Sequence, residues 1–142
     1  MADGWQIARA RPRKPLVKQR RMYASLNRRG EITLNLTAWK ELYKIEHVTL
    51  MYFAKSRVIG VKYPETTDRH YFPVRRYGRG RRNLIIRASR LLQQFDIEIE
   101  RTLVFPAVRK FYFNKSFPML LLELDQAVAL KRRGGPQPSS GR

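Results

Sequence analysis

Short stretches of alternating polarity, none long enough to stand alone, set what this chain can fold into. Tyr23-Ala24-Ser25-Leu26-Asn27 alternates, turns at Asn27-Arg28-Arg29-Gly30, and alternates again through Glu31-Ile32-Thr33-Leu34-Asn35. Two such runs around a glycine-containing turn predict a β-hairpin. Leu36, Trp39, Leu42 and Tyr43 then follow helical spacing, with Thr37 or Asn35 placed to cap. A helix of about two turns is marginal in isolation, so it must pack on the hairpin. Val48–Phe53 and Val58–Tyr63, joined by Ala54–Arg57, predict a second hairpin of β-branched and aromatic residues. Pro64 ends it, and Glu65–Arg69 reads as a polar linker.

The pattern then recurs at an offset of about fifty residues. Phe72 and Val74 lead into a loop, Leu84-Ile85-Ile86 is a short apolar strand, and Ala88, Leu91, Leu92 and Phe95 keep helical spacing, with Ser89 near the helix start. Thr102–Phe105 and Met119–Leu124 read as paired strands, with Pro106, Phe111, Tyr112, Phe113 and Pro118 in a longer loop between them. The expected fold is therefore mostly β with two short helices (α+β). It is one globular domain over residues 22–126, built from two ββαββ-like pseudo-repeats at 22–64 and 71–125. Residues 1–21 and 127–142 read as basic, disordered arm and tail.

Charge narrows the partners. The chain has 30 Lys+Arg against 11 Asp+Glu among its 142 residues, a net charge of +19. Such a surface repels itself until a polyanion neutralises it, and nucleic acid is the usual one. The 43% of hydrophobic residues suffices for a core, which argues against wholesale disorder. With no cysteine, disulfides and thiolate chemistry are excluded, which fits a reducing cytoplasm. No apolar run approaches the roughly 18–20 residues that cross a bilayer as a helix, and the N-terminus lacks the apolar centre of a secretory signal.

The densest basic stretch is Tyr71–Arg82, YFPVRRYGRGRR. Arg75, Arg76, Arg79, Arg81 and Arg82 surround Tyr77, Gly78 and Gly80. Arginine offers a planar fork of donors matched to phosphate oxygens and guanine edges. Glycines let a backbone approach closely, and a tyrosine can stack on an unpaired base. Arg28 and Arg29 occupy the first hairpin tip, Arg87 and Arg90 lie at the start of the second helix, and Arg109 and Lys110 are weaker candidates in the long loop. Arg13, Lys14, Lys18, Arg20 and Arg21 line the N-terminal arm, which would order along a phosphate backbone. If both tips emerge on one face, they form a clamp. For every one of these the alternative is a solvated, charged turn or tail. Phe105, Phe111, Tyr112, Phe113 and Phe117 are expected to fill the core, as is Trp39.

Nothing points to catalysis. His47 and His70 sit in unrelated surroundings, and Glu98, Glu100, Glu123 and Asp125 read as solvated or arginine-paired rather than as a Mg²⁺ cluster. No catalytic residue, metal or cofactor is expected, and Gly78-Arg79-Gly80 lacks the remainder of any phosphate-loop or dinucleotide motif.

The first forty or so residues of the folded region resemble the AbrB/SpoVT and MazE swapped-hairpin family. The likeness rests on Asn27-Arg28-Arg29-Gly30-Glu31-Ile32-Thr33-Leu34, where Gly30, Ile32 and Leu34 match the family's glycine followed by spaced apolar residues. Glu31 and Asn35 stand where that family usually has Arg and Pro. The resemblance implies a small interlocked barrel with basic hairpin ends on DNA, and hence a non-enzymatic regulator or mobile-element accessory in the cytoplasm or nucleoid. Double-stranded DNA is favoured over RNA as partner, with no membrane role. A homodimer and an RNA-binding ribonucleoprotein role stay open, as does an antitoxin-like module binding a protein partner.

Overall fold

The computed structural model describes residues 21–113 and 116–130, together with Gln6 and Ala8. Ten strands and two six-residue helices follow in order: β1 (Ala24–Leu26), β2 (Glu31–Leu34), α1 (Leu36–Glu41), β3 (His47–Phe53), β4 (Val58–Lys62), β5 (Phe72–Tyr77), β6 (Asn83–Arg87), α2 (Ser89–Gln94), β7 (Leu103–Phe105), β8 (Arg109–Phe113), β9 (Phe117–Glu123) and β10 (Val128–Ala129). The strands form a single curled, half-barrel sheet in the order β10-β7-β1-β2-β6-β5-β3-β4-β9-β8. Every pairing is antiparallel. The fold is mostly β with two short helices, as the alternating runs predict.

Strand alternation divides the sheet into two faces. Ile32 pairs with Ile86, which pairs in turn with Val74, and Leu34 pairs with Leu84. These residues face the core with Leu26, Val48, Ile59, Val61, Leu120 and Leu122. Both helices pack on that face. The helix α1 starts where Asn35 Oδ1 accepts the Ala38 N–H at 3.0 Å. The same residue accepts the Tyr23 N–H at 3.1 Å and donates to the Arg21 carbonyl at 2.8 Å, tying the start of β1 to the helix. Of the two capping candidates, Asn35 is the one used. Ser89 is the first residue of α2, and Ala88 precedes it at the cap position.

Several expectations are corrected. Thr102–Phe105 and Met119–Leu124 do not pair: β7 lies between β1 and β10, while β9 lies between β4 and β8. The long loop between them contains β8, which turns back onto β9. The aromatic residues of this span do not all fill the core: Phe105 is buried, while Phe111 and Tyr112, on the edge strand β8, are 51% and 45% exposed. Arg75, Arg76 and Tyr77 belong to β5, which shortens the arginine loop to residues 78–82. Val128–Ala129, placed in the tail by composition, pairs with β7. Arg13, Lys14, Lys18 and Arg20, and the tail from residue 131, lie outside the described residues.

Candidate nucleic-acid interface

The two hairpin tips are built differently from the residues upward. At the first, the Asn27 side chain organises the turn: Oδ1 accepts the N–H groups of Arg29 and Glu31, both at 3.0 Å, and Nδ2 donates to Glu31 Oε1 at 2.8 Å. Gly30 has φ +85°, and a Cβ there would stand 2.8 Å from Cα of Ser89. Its carbonyl accepts the Ala88 N–H at 2.7 Å. This tip is seated on the start of α2. Arg28 and Arg29 project beside a shallow depression of about 460 Å³ that Asp96 and Glu98 also line.

At the second tip, Gly78 and Gly80 have φ +87° and +74°, and Arg81 is also left-handed at +51°. A methyl on either glycine would touch only side-chain atoms, at 3.5 Å or more, so these glycines serve the turn and not packing. Arg76 does not point at solvent unaided. Its guanidinium lies 5.4 Å from the Trp39 ring centroid, and its Nε donates to the Arg81 carbonyl at 3.1 Å. Trp39 is itself fixed by its indole N–H on the Ile45 carbonyl at 2.8 Å. Arg76 thus positions the loop against α1, and Trp39 is a half-buried platform instead of a core anchor. Arg75, Arg76, Tyr77, Arg79, Arg81 and Arg82 are all exposed, Tyr77 by 59%.

Register decides whether the tips cooperate. Glu31 pairs with Arg87 and Leu34 with Leu84, so the first tip lies beyond one end of the β2–β6 pair and the second beyond the other. The shared face expected for a clamp is therefore corrected: the tips emerge at opposite ends. The length of β6, Asn83–Arg87, separates them by roughly 14 Å along the strands. Arg87 lies near the first tip, on the outward face that Arg75 and Tyr77 share.

Glu41, Glu65, Asp68, Glu123 and Asp125 are committed elsewhere. Among the described residues the ion pairs are Arg57–Asp125, Lys62–Glu65, Lys62–Asp68, Arg109–Glu123 and Lys110–Glu41. None uses an arginine of either tip, or Arg87 or Arg90. Arg109 and Lys110 are structural, and Lys110 also lies 5.0 Å over the Tyr112 ring. Glu123 and Asp125 hold arginines, and no group of three potential metal ligands occurs among the described residues.

Sequence reading missed a basic cluster behind α2. Arg69 and His70 close on Arg87 and Arg90 around a groove of about 810 Å³. The dipeptide Arg69-His70 directly before an aromatic residue was the available signal, but a linker gives no periodicity to place it. Lys62 anchors this linker. It is the one charged side chain buried among the described residues, 3% exposed, and lies 2.9 Å from Glu65 Oε2 and 3.2 Å from Asp68 Oδ2. The same Asp68 oxygen accepts the Thr49 hydroxyl at 2.7 Å and the Glu65 N–H at 2.8 Å. Burial alone raises the Asp68 carboxyl, but the Glu65 N–H, the Thr49 hydroxyl and the Lys62 ammonium outweigh it and hold its pKa below the usual value.

No protein-family model, curated protein or solved structure matches the chain. No helix among the described residues is long and apolar enough to cross a membrane.

Proposed function

We propose that the chain is a non-enzymatic nucleic-acid-binding protein whose main contact is the Arg/Gly end of the β5–β6 hairpin. One observation carries the reading: Arg75, Arg79, Arg81 and Arg82 share one exposed sheet end with no carboxylate paired to them among the described residues. Like charges gathered without counter-charge are stabilised by a polyanion that replaces their counterions. Arg28, Arg29 and Arg87 form a second basic end. The spacing of roughly 14 Å between the ends is on the scale of the ~12 Å major groove. Two contacts on opposite sides of a groove replace the single clamp, and duplex DNA remains the favoured partner. The N-terminal arm would add phosphate contacts.

The strand order supports reading the fold as two interlocked pseudo-repeats. From β10 to β4 it is a palindrome about β2–β6, in which β1, β2 and β7 correspond to β5, β6 and β3. Each hairpin borrows its outer neighbour from the other half, as swapped-hairpin regulators do between subunits. In this reading β8–β9 is an insertion of the second repeat that extends the sheet past β4. A cytoplasmic or nucleoid-associated regulator, or a mobile-element accessory, is the role that follows.

The test is a binding titration against duplex DNA, single-stranded DNA and structured RNA across a salt series. Duplex preference with a steep salt slope supports the reading. The second reading, an RNA-binding component, is favoured by the exposure of the Tyr77 ring, and preference for unpaired RNA would establish it. Absence of binding to all three at moderate salt would remove both.

A further inference from the structure

We infer that the groove between α2 and the residue 69–72 segment is a subsite for one nucleotide of an unpaired strand. The inference deepens the nucleic-acid reading and rests on it. Three features combine there. Arg69, His70, Arg87 and Arg90 supply the cationic lining, and among the described residues no Asp or Glu lines the groove. The nearest acid in sequence, Asp68, is occupied by Lys62, Thr49 and the Glu65 N–H. A phosphate is the anion that several guanidinium groups converge on most favourably, through paired N–H donors.

Two aromatic rings supply the rest. Tyr71 and Phe95 line the groove and remain 44% and 38% exposed. Each is held by a neighbour: the His47 ring meets Tyr71 edge-on at 6.4 Å, and Tyr52 meets Phe95 at 5.1 Å. The Tyr71 hydroxyl also donates to the Glu65 carbonyl at 3.4 Å, tying the ring to the turn that Lys62 anchors. A ring positioned in advance offers a stacking platform at little entropic cost, and every base has a face that suits one. Leu50 and Leu91 line the groove with apolar surface. A phosphate alone would not use the rings, and a paired base has no free face to give them. The ligand that uses both is a phosphate with an unstacked base attached, the repeating unit of a single strand.

The experiment titrates the full chain with short oligothymidylate, thymidine monophosphate and inorganic phosphate, following amide and aromatic NMR signals. A matched duplex is titrated in parallel. Oligothymidylate is expected to shift the signals of His70, Tyr71 and Phe95, with the free monophosphate shifting the same signals at higher concentration. Arg69→Ala/Arg90→Ala should weaken oligothymidylate binding about tenfold or more, and Tyr71→Ala about fivefold or more. Tyr71→Phe should keep it, since the ring and not the hydroxyl stacks. Circular dichroism checks that each variant is folded. Wild-type affinity of the folded Arg69→Ala/Arg90→Ala chain for oligothymidylate would overturn the subsite, as would inorganic phosphate binding as tightly as the nucleotide. If duplex binding still depended on Arg79, Arg81 and Arg82, the broader interface would survive that result. A wild-type chain that bound no nucleic acid would overturn both.

Discussion

Gly30 ends the first hairpin's turn and Gly78 begins the second hairpin's loop, and the two have nearly the same φ, +85° and +87°, yet they are needed for different reasons. Gly30 is pressed against the backbone of Ser89, while Gly78 has only the Asn83 side-chain nitrogen, 3.5 Å from where its Cβ would be. The surrounding arginines differ in the same sense. Arg28 and Arg29 share their depression with Asp96 and Glu98, whereas no acid pairs with Arg79, Arg81 or Arg82 among the described residues. One tip is a structural joint between the halves of the chain, and the other is a surface held out to solvent. Basic residues at a turn therefore do not identify an interface by themselves. What the turn leans on, and which acids are near, separates the two cases.

The sharpest test of this contrast is Gly30→Val. The left-handed backbone costs an L-residue about 1–2 kcal/mol, and the clash with Ser89 adds about 1–3 more. A loss of about 3 kcal/mol in denaturant-induced unfolding is expected, and an unchanged midpoint would dissolve the joint. Next comes Arg79→Ala/Arg81→Ala/Arg82→Ala, expected to weaken duplex binding at least about tenfold and to flatten the log–log salt slope by about 2 to 3. Arg28→Ala/Arg29→Ala should cost less than about threefold, because Asp96 and Glu98 line the same depression and offset part of its charge. Equal losses from the two variants would show that the tips contribute alike. Asn27→Ala removes three hydrogen bonds from the first turn and should destabilise the fold by about 1.5 kcal/mol in thermal or chemical unfolding. The smallest effect is expected for Gly80→Ala, about 1 kcal/mol from backbone strain alone, since its φ of 74° and ψ of 2° lie near the left-handed helical region. A cost matching that of Gly30→Val would mean that the second tip is packed as well.

Local signals made the elements legible. Alternation at Glu31–Leu34, the β-branched run at Val58–Lys62, and spaced apolar residues in α1 and α2 depend only on neighbours a few residues away. Pairing partners were not legible where they are remote. Leu26↔Leu103 and Val61↔Leu120 are joined by core packing, which no local pattern encodes. The exposure of Phe111 and Tyr112 was missed because their strand lies at the sheet edge, where a ring has fewer neighbours to cover it. In the candidate site, arginine density points to the second tip, while the contact of Arg76 with Trp39 is not legible because the two lie in separate elements. The groove was invisible for the same reason: Arg69 and Arg90 meet only after β5, β6 and α2 have assembled.

The register that pairs Ala24 with Phe105, and His47 with Pro73, has a consequence for how the molecule assembles. The β1–β2 hairpin can close early because its strands adjoin, but its outer neighbour arrives only when most of the chain has been made. Until then the free side of β1 and the end of β3 near His47 are unpaired strand edges, open to any matching strand. In a crowded solution the nearest matching strand belongs to another copy of the same chain, so the productive route competes with exchange between molecules. A fragment ending at residue 64 should therefore self-associate instead of folding as a monomer, and slow refolding of the whole chain should become more error-prone as concentration rises.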